Sequence, residues 1–436
     1  MTPDKMIWAS EQPARRNLVV VGGGFAGCAL ARSLARDLPE GVRLLLLSEE
    51  SYTTFNPLLA EVIGASIFPE HVVAPLRQVV RPSDRTQFVM GRVEAIDLAA
   101  GSLACHTLAG PITLAFDQLV LAVGNRARTD FLPGLAEHAL PIKTVGDALE
   151  IRNVVLRRLA QIELESDVAV RAELGHFVIV GGGFSGVEVA GELADFLRSV
   201  RTYYPRVRLE ELTVSVVQNQ DRLLPELPPS LGEAARRSLE RRGVKCLLKT
   251  GAAEATAHGL ALSTGERLRA RTLIASAGNR PQGLVERLDL ELSRGRILVN
   301  PDFSVPGFDG LWAIGDCASV VNSWDEQPCP PTAQFAVRQG AHVADNLRAV
   351  LASQPTRPFR YRPRGQLATV GRLSGVAAVF GYRLSGLLAW LLWRAFYLSQ
   401  MPTAGRKLRL WAEWTWAMLF SADITHFRFG RSMADD

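Results

Sequence analysis

One glycine signature occurs twice in this chain, 159 residues apart, and it restricts the fold more than any other feature. The first copy, LVVVGGGFAGCALARSLA, carries Gly22, Gly24 and Gly27 directly after the apolar run Leu18–Val21. The second, FVIVGGGFSGVEVAGELA, carries Gly181, Gly183 and Gly186 after Phe177–Val180. In both, a buried-strand pattern enters G-x-G-x-x-G and then a helical pattern. The glycines allow the tight turn, a close approach of backbone to a pyrophosphate, and close packing of helix on strand. A diphosphate would then meet free N–H groups and the positive end of the helix dipole. Two such units predict an α/β fold with two tandem Rossmann-type dinucleotide-binding domains.

At 436 residues the chain exceeds a single core, so two or three domains are expected. Residues 18–47 read as strand, helix, strand. The stretch Ser51–Leu76, with Pro57, Pro69 and Pro75, reads as irregular and folded over a ligand. Short alternating strands follow at Gln87–Met90, Val93–Asp97 and Leu103–Thr107, then the apolar strand Leu119–Val123 before Gly124. Val145–Glu165 reads as a helix leading to the second unit, whose later strands are Leu212–Val217 and Thr272–Ala277, before Gly278. The run Gly310–Ile314 ends in Gly315 and Asp316 and precedes the helix Thr332–Leu351. The first domain therefore reads as 1–148 plus 288–355, interrupted by the second at 149–287. A C-terminal region, 356–436, follows a proline-bearing boundary at Pro355, Pro358 and Pro363.

Composition is that of an ordinary globular protein, 47% hydrophobic and 21% charged. The five cysteines are scattered with no C-x-x-C or C-x-x-x-x-C pair, so neither a metal site nor a dithiol motif is expected. They read as reduced residues of an intracellular protein. The N-terminal MTPDKMIWASEQPARRN has no apolar stretch of the secretory type. Between Arg362 and Asp436 lie ten Lys/Arg against four Asp/Glu, a local charge of +6 that exceeds the whole chain's +5. Five of the eight tryptophans lie there too. The apolar segments Leu384–Leu398 and Leu408–Phe420 are short and carry Arg394, Arg409 and Glu413. At 1.5 Å per residue even the longer reaches only about 22 Å, short of the roughly 30 Å hydrocarbon core. Basic, Trp-rich short helices suit an amphipathic element lying in the interface of an anionic membrane. A helix pair packed on the protein's own core or in a dimer interface is the other reading. Because both glycine units precede Arg364, the tail is expected to be removable without loss of dinucleotide binding.

Taken in order, these motifs resemble the type II, non-proton-pumping NADH:quinone oxidoreductases, monotopic flavoproteins with tandem Rossmann domains. The resemblance runs from about Leu18 to Phe427. It includes FNPLLAEVIGASIFPEHVVAPLR, DRLLPELPPSL, VPGFDGLWAIGDCA, PPTAQFAVRQG and RGQLATVGR. It implies FAD in the first domain, cradled by Gly22, Gly24 and Gly27 with Phe25 and Ala26. Asp316 would lie at the ribityl–phosphate region, and Val93 and Gly124 would complete the pocket. The acid usual at the end of the second strand is replaced by Ser48, with Glu49 one residue later. NADH, or NADPH, would occupy Gly181, Gly183, Gly186 and Gly278. Gln218 stands where an acid usually meets the ribose, and a neutral amide there would not repel a 2′-phosphate. Glu188 matches a family acid near the flavin and nicotinamide rings, although a carboxylate in a helix's first turn is also plain dipole chemistry.

In PPTAQFAVRQG, Ala333, Gln334 and Ala336 match a quinone-pocket helix of the form A-Q-x-A-x-Q, but the second Gln position is Arg338. Gln334 is the candidate quinone contact. The implied activity is respiratory: NAD(P)H oxidation through FAD, with two electrons passed to a membrane quinone by a peripheral protein on the cytoplasmic face of the cell membrane. Implied partners are quinone and an anionic lipid surface, without nucleic acid, and a homodimer stays open. Two rivals are a sulfide:quinone-oxidoreductase-like flavoenzyme, which needs a redox cysteine pair, and a flavin-bearing membrane sensor that does not turn over.

Overall fold

The computed structural model describes residues 16–401 and 403–427. The N-terminal stretch read for a leader reaches into 1–15, and the tail charges of Arg428, Arg431, Asp435 and Asp436 also lie outside the described residues. The chain forms two compact units.

The first unit comprises the chain up to Thr54, Val73–Arg126 and Asn279–Pro363. Its seven-stranded sheet runs Leu311–Ala313, Gln118–Leu121, Arg16–Val21, Val42–Ser48, Thr86–Asp97, Ser102–Thr107, Gly110–Ala115. The first five strands are parallel, with Val19 beside both Leu45 and Leu119. Strands covered on both faces need apolar residues at every position, which is why Leu18–Val21 and Leu44–Leu47 do not alternate. The two strands expected at 87–97 are one, Thr86–Asp97, bent by a bulge between Val93 and Ala95. Helices Phe25–Leu34 and Ala333–Leu351 pack against each other, and Gly340 permits it: a Cβ there would lie 2.2 Å from the Ala26 carbonyl oxygen.

The second unit comprises Phe55–Val72, Ala127–Gly278 and the chain from Arg364. Its parallel sheet runs Ala139–Pro141, Thr272–Ala275, His176–Val180, Thr213–Val217, Lys245–Leu247. A capping box of Thr144 with Asp147 starts the long helix Val145–Leu164.

These units differ from the sequence-derived domains: residues 127–148 fall in the second unit, 279–287 and 356–363 in the first, and two further stretches change sides. The proline-bearing stretch 55–72 belongs to the second unit, because its helix Leu59–Ile63 is buried at every residue against Val145–Leu164 and Phe184–Val200. The tail belongs there too. It opens with an antiparallel sheet, Gly365–Thr369, Gly375–Val379 and Tyr382–Gly386, that sequence reading missed. A Cβ on Gly191 would lie 2.4 Å from the Gly371 N–H, so this sheet sits tightly on helix Phe184–Val200. The segment read as one apolar stretch from Leu384 starts as strand and becomes helix only at Leu387–Gln400; Ala404–Leu419 follows. Trp390, Trp393, Leu410 and Trp414 are buried, so one face of each tail helix is core. The tail is therefore not a detachable appendage. No described helix is long and apolar enough to cross a membrane.

Candidate active site

In the first glycine loop, Gly22 has φ +115° and a Cβ there would lie 2.3 Å from the Ala122 oxygen. A Cβ on Gly27 would lie 1.9 Å from the Gly22 oxygen. Gly24, at the N-terminal cap of helix Phe25–Leu34, is different: a Cβ there meets no described atom within 4 Å. The outer two glycines are demanded by the fold, and the middle one leaves open space against the first N–H groups of Phe25 and Ala26. That is the cradle a diphosphate requires, so these residues fit FAD. Behind the loop, Ser48 ends its strand beneath Gly23, while Glu49 is exposed and 3.9 Å from Arg92 on the surface. Val93 is buried in its strand, and Gly124 has φ +65° with open space around it.

Asp316 sits in a short 3₁₀ turn after strand Leu311–Ala313 and accepts from the Asn125 amide at 3.0 Å. Gln339 accepts from the Gly315 N–H at 2.8 Å and is wholly buried. Gln334 accepts from the Tyr361 hydroxyl at 2.9 Å, and the Arg338 guanidinium lies 5.7 Å from the centre of the same ring. Gln334 and Arg338, four apart on one helix, thus share Tyr361, whereas the next residue, Gln339, turns inward. Tyr361, Asn125 and Gln339 were not foreseen. Only Gln339 left a sequence trace, as the glutamine one place beyond Arg338.

The second loop repeats the geometry. A Cβ on Gly186 would lie 1.9 Å from the Gly181 oxygen, while Gly183 caps helix Phe184–Val200 with open space. Gly278, with φ +82°, lies beside Arg128 in the same unit. Gln218 is buried; its side-chain oxygen accepts from the Gly182 N–H at 3.4 Å and its amide donates to the Arg222 oxygen at 3.3 Å. It braces the glycine loop from behind.

Glu188 is not in the first turn, which carries no acid, so helix-dipole chemistry does not account for it. It is buried, accepts from the Thr369 N–H at 3.3 Å, and burial pushes its carboxyl up to about 8. All five cysteines are free, and burial pushes their thiols up to about 11 or 12, which removes the thiolate a cysteine-based rival needs.

Residues 16–340 match the family described as pyridine nucleotide-disulphide oxidoreductase. A type II NADH:quinone oxidoreductase of Mycobacterium tuberculosis is 30% identical over 419 residues, covering 93% of this chain and 89% of the relative. An internal alternative NAD(P)H-ubiquinone oxidoreductase of Solanum tuberosum mitochondria is 28% identical over 452 residues, 96% of this chain and 89% of that one. The solved structure of NDH2 from Plasmodium falciparum in complex with NADH has the same fold, with TM-score 0.88 at 17% identity over 94% of this chain and all of that one.

The α/β fold and the family match define the class, an FAD-dependent pyridine nucleotide oxidoreductase. More narrowly, the chain belongs to the type II NADH:quinone oxidoreductases of the pyridine nucleotide-disulphide oxidoreductase family. Its reaction is the oxidation of NADH and reduction of quinone with FAD as cofactor, without proton pumping.

Proposed function

We propose that the first glycine loop holds FAD, the second holds NAD(P)H, and the exposed face of the tail rests on lipid. The contrast at each loop between closed outer glycines and an open middle one carries this reading. When bound, FAD supplies a two-electron acceptor for the nicotinamide hydride and a two-electron donor for quinone. The protein's own residues orient and hold. The N–H groups at the start of helix Phe25–Leu34 would take one diphosphate and those at Phe184–Val200 the other. Asp316, steadied by Asn125 and by Gln339 through Gly315, would accept from flavin side-chain hydroxyls. Gln334 would donate to a quinone carbonyl, with Tyr361 fixing its amide orientation and Arg338 adding positive charge. Glu188, buried against the Thr369 N–H within the second unit, would hold a proton at neutral pH. Initial rates with NADH and NADPH against a short-chain quinone test the reading. Absence of turnover in the FAD-loaded protein would leave the sensor alternative standing.

The lipid contact is supported by the outward faces of the tail helices. Leu388 is 67% exposed, Leu408 65%, Trp411 55% and Leu419 73%, beside the basic Lys407 and Arg409. Apolar and aromatic groups beside cations suit an anionic interface. Binding to anionic liposomes should fall as salt rises. If the protein instead ignores lipid and doubles its mass in detergent-free solution, the face is a homodimer interface.

A further inference from the structure

The antiparallel sheet that opens the tail carries a hairpin tip with an unfavourable residue in it. Val379 pairs with Tyr382, so Phe380 and Gly381 alone make the turn between strands Gly375–Val379 and Tyr382–Gly386. Both have positive φ, +51° and +87°, the two-residue turn whose twist matches that of the strands. Asn-Gly is the favoured pair there, because asparagine tolerates the left-handed region and a bulky side chain resists it. Gly381 follows that rule and Phe380 breaks it. Packing inside the protein does not offset the strain: Phe380 is 75% exposed and Tyr382 74%. The Phe380 N–H donates to the Arg364 oxygen at 3.3 Å, so the backbone of the tip is held while its rings stand outside.

Charge indicates what covers those rings. From Arg364 up to Glu413 the chain carries seven Lys/Arg and no Asp or Glu. Arg383, exposed, follows Tyr382 on the outer strand of the sheet. That strand leads directly into the first tail helix, which begins with exposed Leu387, Leu388 and Leu391. Leu164, in the same unit, is the contrast. It is 85% exposed at the end of helix Val145–Leu164, but it lies between Glu163 and Glu165 with Asp167 close by. An anionic surface attracts the first kind of site and repels the second. Resting on the reading that the tail meets lipid, we propose that the Phe380–Tyr382 tip is a further point of attachment, a wedge that enters the interfacial layer of an anionic bilayer. The Phe380 ring has no polar atom and goes to the acyl boundary. Tyr382 keeps its hydroxyl at headgroup level, and Arg383 meets lipid phosphate. The turn gives up folding stability for attachment, so stability and lipid binding should respond to Phe380 with opposite signs. A merely structural residue would move both the same way.

The test uses the full-length FAD-loaded protein and sedimentation with vesicles of equal parts phosphatidylglycerol and phosphatidylcholine. Phe380→Asn should raise the melting temperature and yet weaken vesicle binding about tenfold, as expected for one ring withdrawn from an apolar layer. Leu164→Gln should leave binding unchanged. Independently of affinity, an environment-sensitive dye on Phe380→Cys should shift to the blue when these vesicles are added. Wild type treated with the same dye gives the background from the five native cysteines. If Phe380→Asn binds like wild type while Leu408→Gln with Trp411→Gln binds weakly, the tip has no such part and the lipid reading survives. If wild type itself ignores the vesicles, the lipid reading falls, and this inference with it. If the dye shift instead follows protein concentration without lipid, the tip is a contact between two copies of the chain and the inference is overturned.

Discussion

Gln339 and Gly315 are joined by a buried hydrogen bond of 2.8 Å from the glycine N–H to the glutamine side-chain oxygen. It ties helix Ala333–Leu351 to the turn that carries Asp316. Gln339→Leu would leave the Gly315 N–H buried and unpaired, at a cost of about 1–3 kcal/mol. The expected result is a lower melting temperature and flavin lost on gel filtration. Arg338→Gln, on the exposed side of the same helix, should keep its flavin and its melting temperature.

Gly24 and Gly27 should fail in different ways. Gly24→Val adds a side chain where nothing packs, so the protein should fold, with an unchanged far-ultraviolet spectrum, yet bind almost no FAD. Gly27→Ala forces a methyl against the Gly22 oxygen and should unfold the first unit. Full flavin occupancy in a folded Gly24→Val protein would refute the cradle assignment.

Gln218→Glu should shift kcat/KM toward NADH over NADPH. A carboxylate accepts from a ribose hydroxyl and repels a 2′-phosphate, worth roughly 1–3 kcal/mol in the ratio of the two cofactors. The substitution also replaces the amide donor to the Arg222 oxygen, so a small stability loss is expected alongside. An unchanged cofactor ratio would confine Gln218 to bracing the loop.

Glu188 should make stability depend on pH. Its carboxyl has an ordinary value of 4.5 and is held at about 8 in the fold. The folded state therefore binds the proton more tightly, and the contribution is complete below the unfolded value. It is lost as pH rises from there through the folded value, so the protein weakens toward alkaline pH. Urea midpoints measured from about pH 5 to about pH 9 should fall in wild type and stay flatter in Glu188→Gln.

Deleting the chain after Arg364 should abolish folding of the second unit, because it uncovers Val376, Trp393, Leu410 and Trp414 and removes the Thr369 N–H from Glu188. Membrane attachment is better dissected on the surface. Leu408→Gln with Trp411→Gln should leave the unfolding free energy within about 0.5 kcal/mol of wild type. The same pair should weaken binding to anionic liposomes in a sedimentation assay.

Local chemistry was legible in the sequence. The two glycine units, the strands that feed them, the helices that leave them and Gly315-Asp316 depend on turn geometry and apolar runs, which short stretches of chain encode. Gln334 and Arg338 were named from the resemblance to a quinone-pocket helix, and that they share Tyr361 was decided by the fold. What the sequence could not assign were partnerships between distant segments. Residues 55–72 read as a flap of the first domain, and only packing of Leu59–Ile63 on two helices of the second unit placed them there. The tail read as an anchor because Trp and Leu look alike whether they face lipid or core. Tertiary contacts split the set, sending Trp393 and Trp414 inward and leaving Leu408 and Trp411 outside. The gathering of Glu61, Glu188, Glu192 and Arg394 was likewise decided by the fold. A buried charge becomes evident only when the surfaces that exclude water from it have been brought together.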